Sequence, residues 1–276
     1  MTVRDLLVDA TEELERAGVP SPRVDAEWLL AHALGISRTE LYVNGEEAPE
    51  DRKRLFRELV ERRASREPLA YVLGEWGFRG LLLRVDPRVL IPRPETEEVV
   101  ERCLELLADQ AQPRVLDIGV GSGAIALSIA DEHQGARVVA TDNSPGALAV
   151  AAENRDLTGF ADRVELVRGE LFEGVEGPFD LVVSNPPYVR PDELAWLEPE
   201  VARFEPRGAL VAHGVTEAIV EQALSYLAPG GSLVLETADG EARGVAGLLA
   251  GLGYGDVRIG KDLSGRERVV DGRAPR

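Results

Sequence analysis

From residue 112 onward, short apolar runs alternate with longer amphipathic stretches. Strands are predicted at 115–117, 138–141, 164–167, 181–184, 232–236 and 257–259, with a last one at 268–270. Most of the segments between them carry the spacing of helices. Runs apolar on both faces, separated by helices, predict a mostly parallel sheet covered on each side: a Rossmann-like, doubly wound α/β fold. The first 70 residues follow the helical period alone. Leu6, Leu7, Ala10 and Leu14 share one face, and Gly18 and Pro20 end that helix. Ser21-Pro22 predicts an N-cap followed by proline at the first helical position. Val24, Trp28, Leu29 and Leu34 then form an inward face. A short third helix starts at Ser37, and a fourth spans 49–65 with Leu55, Phe56 and Leu59 inward. A small helical bundle is expected.

Between these regions the period changes to two. Trp76, Phe78, Leu81, Leu83 and Val85 alternate around Arg79-Gly80, which predicts a β-hairpin. The chain thus divides into a bundle (1–70), a hairpin linker (71–91) and an α/β domain (92–276). Pro92-Arg93-Pro94-Glu95-Thr96-Glu97 reads as a stiff loop entering a helix that Thr96 caps.

Composition narrows the function. The net charge of -18 over 276 residues argues against broad contact with nucleic acid, where phosphate contacts dominate affinity. One local exception is the fourth helix, where Arg52, Lys53, Arg54, Arg57, Arg62, Arg63 and Arg66 outnumber nearby acids; it is a candidate for an acidic partner surface. Cys103 is the only cysteine, so no intrachain disulfide or cysteine-based metal site is expected, and three dispersed histidines suggest no metal. No apolar run approaches the roughly 20 residues that cross a bilayer. A cytoplasmic monomer, away from membranes, is expected.

Two motifs carry chemistry. Asp117-Ile118-Gly119-Val120-Gly121-Ser122-Gly123 follows the first strand and opens a helix; its glycines let the backbone turn tightly against a ligand. Asp142 closes the second strand and can accept both hydroxyls of a ribose, which suits a dinucleotide and S-adenosylmethionine alike. Glu170, after the third strand, can accept from an adenine amino group. The second motif, Asn185-Pro186-Pro187-Tyr188, ends the fourth strand. Its prolines stiffen the turn and free a carbonyl. The Asn185 side-chain oxygen and the Pro186 carbonyl form a pair of acceptors for an –NH2 group, with Tyr188 as an apolar wall. Hydride transfer has no use for such a pair; methyl transfer to nitrogen does.

The glycine loop and Asp142 resemble class I S-adenosylmethionine-dependent methyltransferases. With 92–97, 185–188, Pro68 to Gly74, Phe204-Glu205-Pro206-Arg207 and Asp262 to Arg268, the chain is similar over nearly its whole length to the HemK/PrmC protein-(glutamine-N5) methyltransferases. That resemblance implies S-adenosylmethionine as methyl donor and, as substrate, the glutamine of the Gly-Gly-Gln motif in class 1 peptide-chain release factors. It implies cofactor contacts at Asp117, Gly119, Val120, Gly121, Ser122, Gly123, Asp142, Glu170, Leu171 and Asn185. It implies substrate contacts at Asn185, Pro186, Pro187, Tyr188, Arg93 and Glu95, with Asn185, Pro186 and Tyr188 catalytic. Leu171 stands where the family often has an aromatic residue, so apolar contact replaces stacking on adenine. The segment from Ala212 to Thr216 also departs from the family pattern. The alternative, a DNA or RNA base amino-methyltransferase, shares the –NH2 geometry but predicts a basic groove and a pocket for a flipped base.

Overall fold

The structure, a computed structural model, describes residues 2–43, 47–211 and 213–276; Ala212 of the sequence reading lies outside the described residues. The chain forms two compact units, Met1–Glu75 with Leu197–Phe204, and Trp76–Trp196 with Glu205–Arg276.

The first unit is helical: α1 (Val3–Arg16), α2 (Pro22–Leu34), α3 (Glu50–Ala64) and α4 (Leu69–Leu73). A capping box starts α1, with Asp5 N–H donating to Thr2 Oγ1 and Thr2 N–H to the Asp5 carboxylate. Leu6, Leu14, Leu29, Leu30, Phe56 and Leu59 form the core.

Four details differ from expectation. Val24 and Trp28 point outward, each 42% exposed, while Ala26, Leu29, Leu30 and Ala33 fill the buried side of α2. Apolar residues ring this helix, so periodicity alone cannot choose its inner face; the Arg38 guanidinium covers the Trp28 ring instead, 5.1 Å from its centroid. Ser21 occupies the N-cap position of α2 without a capping hydrogen bond. The third helix is a single 3-10 turn, Glu40–Tyr42. Finally, several cations of α3 and the turn after it are already paired. Arg63, buried, bonds Asp25 and Glu200 at 2.8 Å each; Arg66 bonds Glu200; Arg62 grips Glu67 and the carbonyls of Tyr71 and Val72. Arg62 and Arg63 hold the unit together rather than offering charge to a partner.

A hairpin follows, β1 (Glu75–Phe78) and β2 (Leu81–Arg84), turned at Arg79 with φ 48°, and from Trp76 it belongs to the second unit. Phe78 and Leu83 enter this unit's own core beside Val99, Cys103 and Ile129. The main sheet contains β3 (Arg114–Ile118), β4 (Arg137–Asp142), β5 (Val164–Arg168), β6 (Phe179–Ser184), β7 (Leu227–Glu236), β8 (Gly255–Lys261) and β9 (Glu267–Arg273). Their spatial order is 5-4-3-6-7-9-8, with β9 antiparallel to both its neighbours and the first five strands parallel. Helices α5 (Thr96–Leu107), α6 (Ala124–Glu132) and α7 (Pro145–Thr158) pack against this sheet with later helices. Strand order reverses between β3 and β6, with Ile118 paired to Ser184, so the glycine loop and the Asn-Pro-Pro-Tyr turn leave the sheet side by side. Such a switch point at the carboxyl ends of parallel strands opens a crevice.

Candidate active site

That crevice is a cleft of about 540 Å³. It is lined by Gly119 to Ser122 from the loop after β3, by Asp142 at the end of β4, by Glu170 and Leu171 after β5, and by Asn185 to Pro187 after β6. Arg93 and Thr96, and Pro206, Gly208 and Ala209 complete other walls. Asp117, Gly123, Tyr188 and Glu95 do not line it.

The glycine loop explains its own composition. Gly119, Gly121 and Gly123 all take positive φ, which side chains disfavour. A Cβ on Gly123 would also sit 2.8 Å from Leu127 Cδ1, where α6 starts. Asn154 on α7 holds the loop from below, donating to the Ser122 carbonyl at 2.8 Å and to the Arg84 carbonyl at 2.9 Å.

Asp142 joins the loop to the next strand. Gly121 N–H donates to its Oδ2 at 3.0 Å and Ser144 N–H to its Oδ1 at 2.9 Å. Each carboxylate oxygen can accept a further hydrogen bond, and the side chain faces the cleft. This donor and acceptor set fits a ribose. Asp117 sits beneath, 1% exposed, accepting from Ala126 N–H through Oδ2 while Oδ1 has no partner among the described residues. Burial pushes its carboxyl up to about 7, against the pull of the Ala126 N–H. Glu170 is exposed, and no described residue donates to its carboxylate. Leu171 takes φ 53°, and its carbonyl accepts from Thr141 Oγ1.

At the turn, Pro186 is buried and Asn185 half-buried. No described N–H donates to the Pro186 carbonyl. Asn185 Nδ2 donates to Thr96 Oγ1 at 3.2 Å, and Thr96 Oγ1 donates to Glu236 Oε2 at 2.7 Å. Asn185 Oδ1 takes no hydrogen bond from a described residue. Thr96 is therefore not a cap: Glu95 holds the N-cap position of α5, and the Thr96 hydroxyl is spent on the turn. Tyr188 aims its hydroxyl at Glu236 Oε1, 3.5 Å away. Burial, reinforced by Glu236, pushes the Tyr188 phenol up to about 12, so it stays protonated and is no base. Glu236 is 1% exposed, and its carboxyl is raised by burial although Thr96 and Arg268 favour the charged form.

Arg93 reaches Glu205 at 2.5 Å, fixing the Pro-Arg-Pro loop to Glu205-Pro206-Arg207. Glu95 faces Arg266 at 3.3 Å. Glu236 is absent from the site residues read in the sequence, and Thr96 is misread there as a cap. The available signal was an acid ending an otherwise apolar strand, which must find a partner when buried.

The comparisons agree with this architecture. Residues 5–74 match the PrmC N-terminal domain and residues 100–197 the methyltransferase small domain. Among solved structures, a methyltransferase from Pyrococcus furiosus matches 71% of this chain and 90% of its own, with TM-score 0.52 and 23% identity, which establishes the fold. Release factor glutamine methyltransferases from Deinococcus radiodurans and Geobacter sulfurreducens are each 44% identical over 99% of this chain, covering 99% and 96% of their own lengths. By that full-length similarity, the chain belongs to the release factor glutamine methyltransferase family.

Proposed function

We propose that this protein transfers a methyl group from S-adenosylmethionine to the side-chain amide nitrogen of the glutamine in the Gly-Gly-Gln motif of class 1 release factors. The observation that carries the reading is the orientation of Asn185: its –NH2 is spent on Thr96, so its oxygen is left to accept. Beside it stands the unengaged Pro186 carbonyl. The cofactor would lie along the glycine loop, with Asp142 on the ribose, Glu170 on the adenine amino group and Leu171 in apolar contact; it supplies an electrophilic sulfonium methyl.

An amide nitrogen is a weak nucleophile because its lone pair is delocalised into the carbonyl. Asn185 Oδ1 and the Pro186 carbonyl would each accept one of its N–H bonds, fixing its rotation. Both dipoles also favour the positive charge that develops on nitrogen. Positioning and preorganised dipoles are the catalytic contributions. Tyr188, neutral and outside the cleft lining, supports the turn. Arg93 lines the substrate side, the helical unit docks the release factor, and a translation factor as substrate is in keeping with a cytoplasmic protein. The family relationship and the acidic balance disfavour a nucleic-acid base as substrate. Incubation with a release factor and S-adenosylmethionine, followed by peptide mass spectrometry, tests the reading: one methyl group on that glutamine is expected, and an unmodified glutamine refutes it.

A further inference from the structure

We propose that Glu236 and Thr96 are positioning residues that fix which end of the Asn185 amide faces the nucleophile. The inference rests on the proposed methyl transfer to an amide nitrogen. An amide side chain can turn over and exchange its oxygen and nitrogen at little steric cost. In this site only one orientation works: an –NH2 aimed at the substrate –NH2 would set donor against donor.

The direction is set from the interior. Glu236, almost fully buried at the end of β7, carries no proton when ionised and can then only accept. Thr96 has one hydroxyl proton and gives it to Glu236 at 2.7 Å. What remains on Thr96 toward Asn185 is a lone pair. Asn185 must therefore present Nδ2 to Thr96, as it does at 3.2 Å, and Oδ1 to the cleft. Tyr188 occupies the other oxygen of Glu236. One buried charge thus fixes the direction of every hydrogen bond out to the reacting group.

Paired substitutions should then compensate each other. In Asn185→Asp, two carboxylates compete for the single Thr96 proton. In Glu236→Gln, the introduced amide can either accept from Thr96 or donate to it, so the Asn185 direction is no longer enforced. Combining the two restores a consistent chain. The amide introduced at position 236 donates to Thr96, and Thr96 donates to the carboxylate introduced at position 185. The other oxygen of that carboxylate then faces the substrate. The double variant should methylate faster than Asn185→Asp by about 10-fold or more, the scale of one charge-assisted hydrogen bond.

The test is single-turnover methylation of a release factor at saturating S-adenosylmethionine by full-length Asn185→Asp, Glu236→Gln and the double variant, with thermal melting of all three. Glu236→Gln should lower turnover with cofactor affinity unchanged, and Thr96→Ser should retain activity that Thr96→Val loses. The double variant should exceed Asn185→Asp in both rate and melting temperature. Defects that simply multiply, with no recovery in either measurement, would overturn the proposal and leave Glu236 a structural acid. If the wild type methylates no glutamine, the reaction reading fails, while the melting temperatures still decide the relay.

Discussion

Asp142→Asn is expected to weaken S-adenosylmethionine binding by about 10- to 100-fold. The native carboxylate accepts from Gly121 N–H at 3.0 Å with one oxygen and from Ser144 N–H at 2.9 Å with the other. Asparagine keeps the shape but has one oxygen. Whichever way it turns, its –NH2 meets one of those two backbone N–H groups, donor to donor. One bond that organises the loop is lost, and with it one acceptor for a ribose hydroxyl. A hydrogen bond to a charged group contributes about 1.5–3 kcal/mol. One such loss on the cofactor side corresponds to roughly a 10- to 100-fold rise in Kd. Calorimetric titration at fixed salt measures it, and a parallel thermal melt reads the loop bond separately. Affinity within about two-fold of wild type, in a variant that melts normally, would remove Asp142 from the cofactor site.

Three further outcomes follow from the geometry. Asn185→Ala should lower turnover by about 10²–10³, the usual cost of one oriented dipole, with cofactor affinity nearly unchanged in calorimetry. Arg63→Met should cost about 3–5 kcal/mol in urea denaturation, because Asp25 loses its buried cation while Glu200 keeps only Arg66; a loss below about 1 kcal/mol would contradict that role. Asp117 binds a proton in the folded state that the unfolded chain has released above 3.8, so its effect on stability turns unfavourable as pH rises from about 4 to about 7. The span from 3.8 to about 7 is worth up to about 4 kcal/mol, and Asp117→Asn should flatten stability between pH 5 and 8. An unchanged slope would show that Asp117 stays ionised.

The sheet was readable because each strand of the α/β unit is a short apolar run bounded by turn residues, and the predicted 115–117 and 181–184 lie within Arg114–Ile118 and Phe179–Ser184. The place of β9 between β7 and β8 was not, since antiparallel insertion depends on pairing partners, not on the pattern within a strand. Gly119, Asp142 and Asn185 share a cleft because each follows or ends a parallel strand, a position readable from local sequence. Thr96 and Glu236 lie 140 residues apart, so only the fold brings them together. Arg63 misled for the same reason: its partners Asp25 and Glu200 are remote in sequence, and a helix read alone shows only unpaired charge.

The role given to Asn185 stands or falls on mass spectrometry of a class 1 release factor after single-turnover incubation with S-adenosylmethionine and either the wild type or Asn185→Ala. One methyl group is expected on the side-chain nitrogen of the Gly-Gly-Gln glutamine with the wild type, and about 10²–10³ slower transfer with the variant. Methylation at another residue, or equal rates for the two proteins, would contradict it.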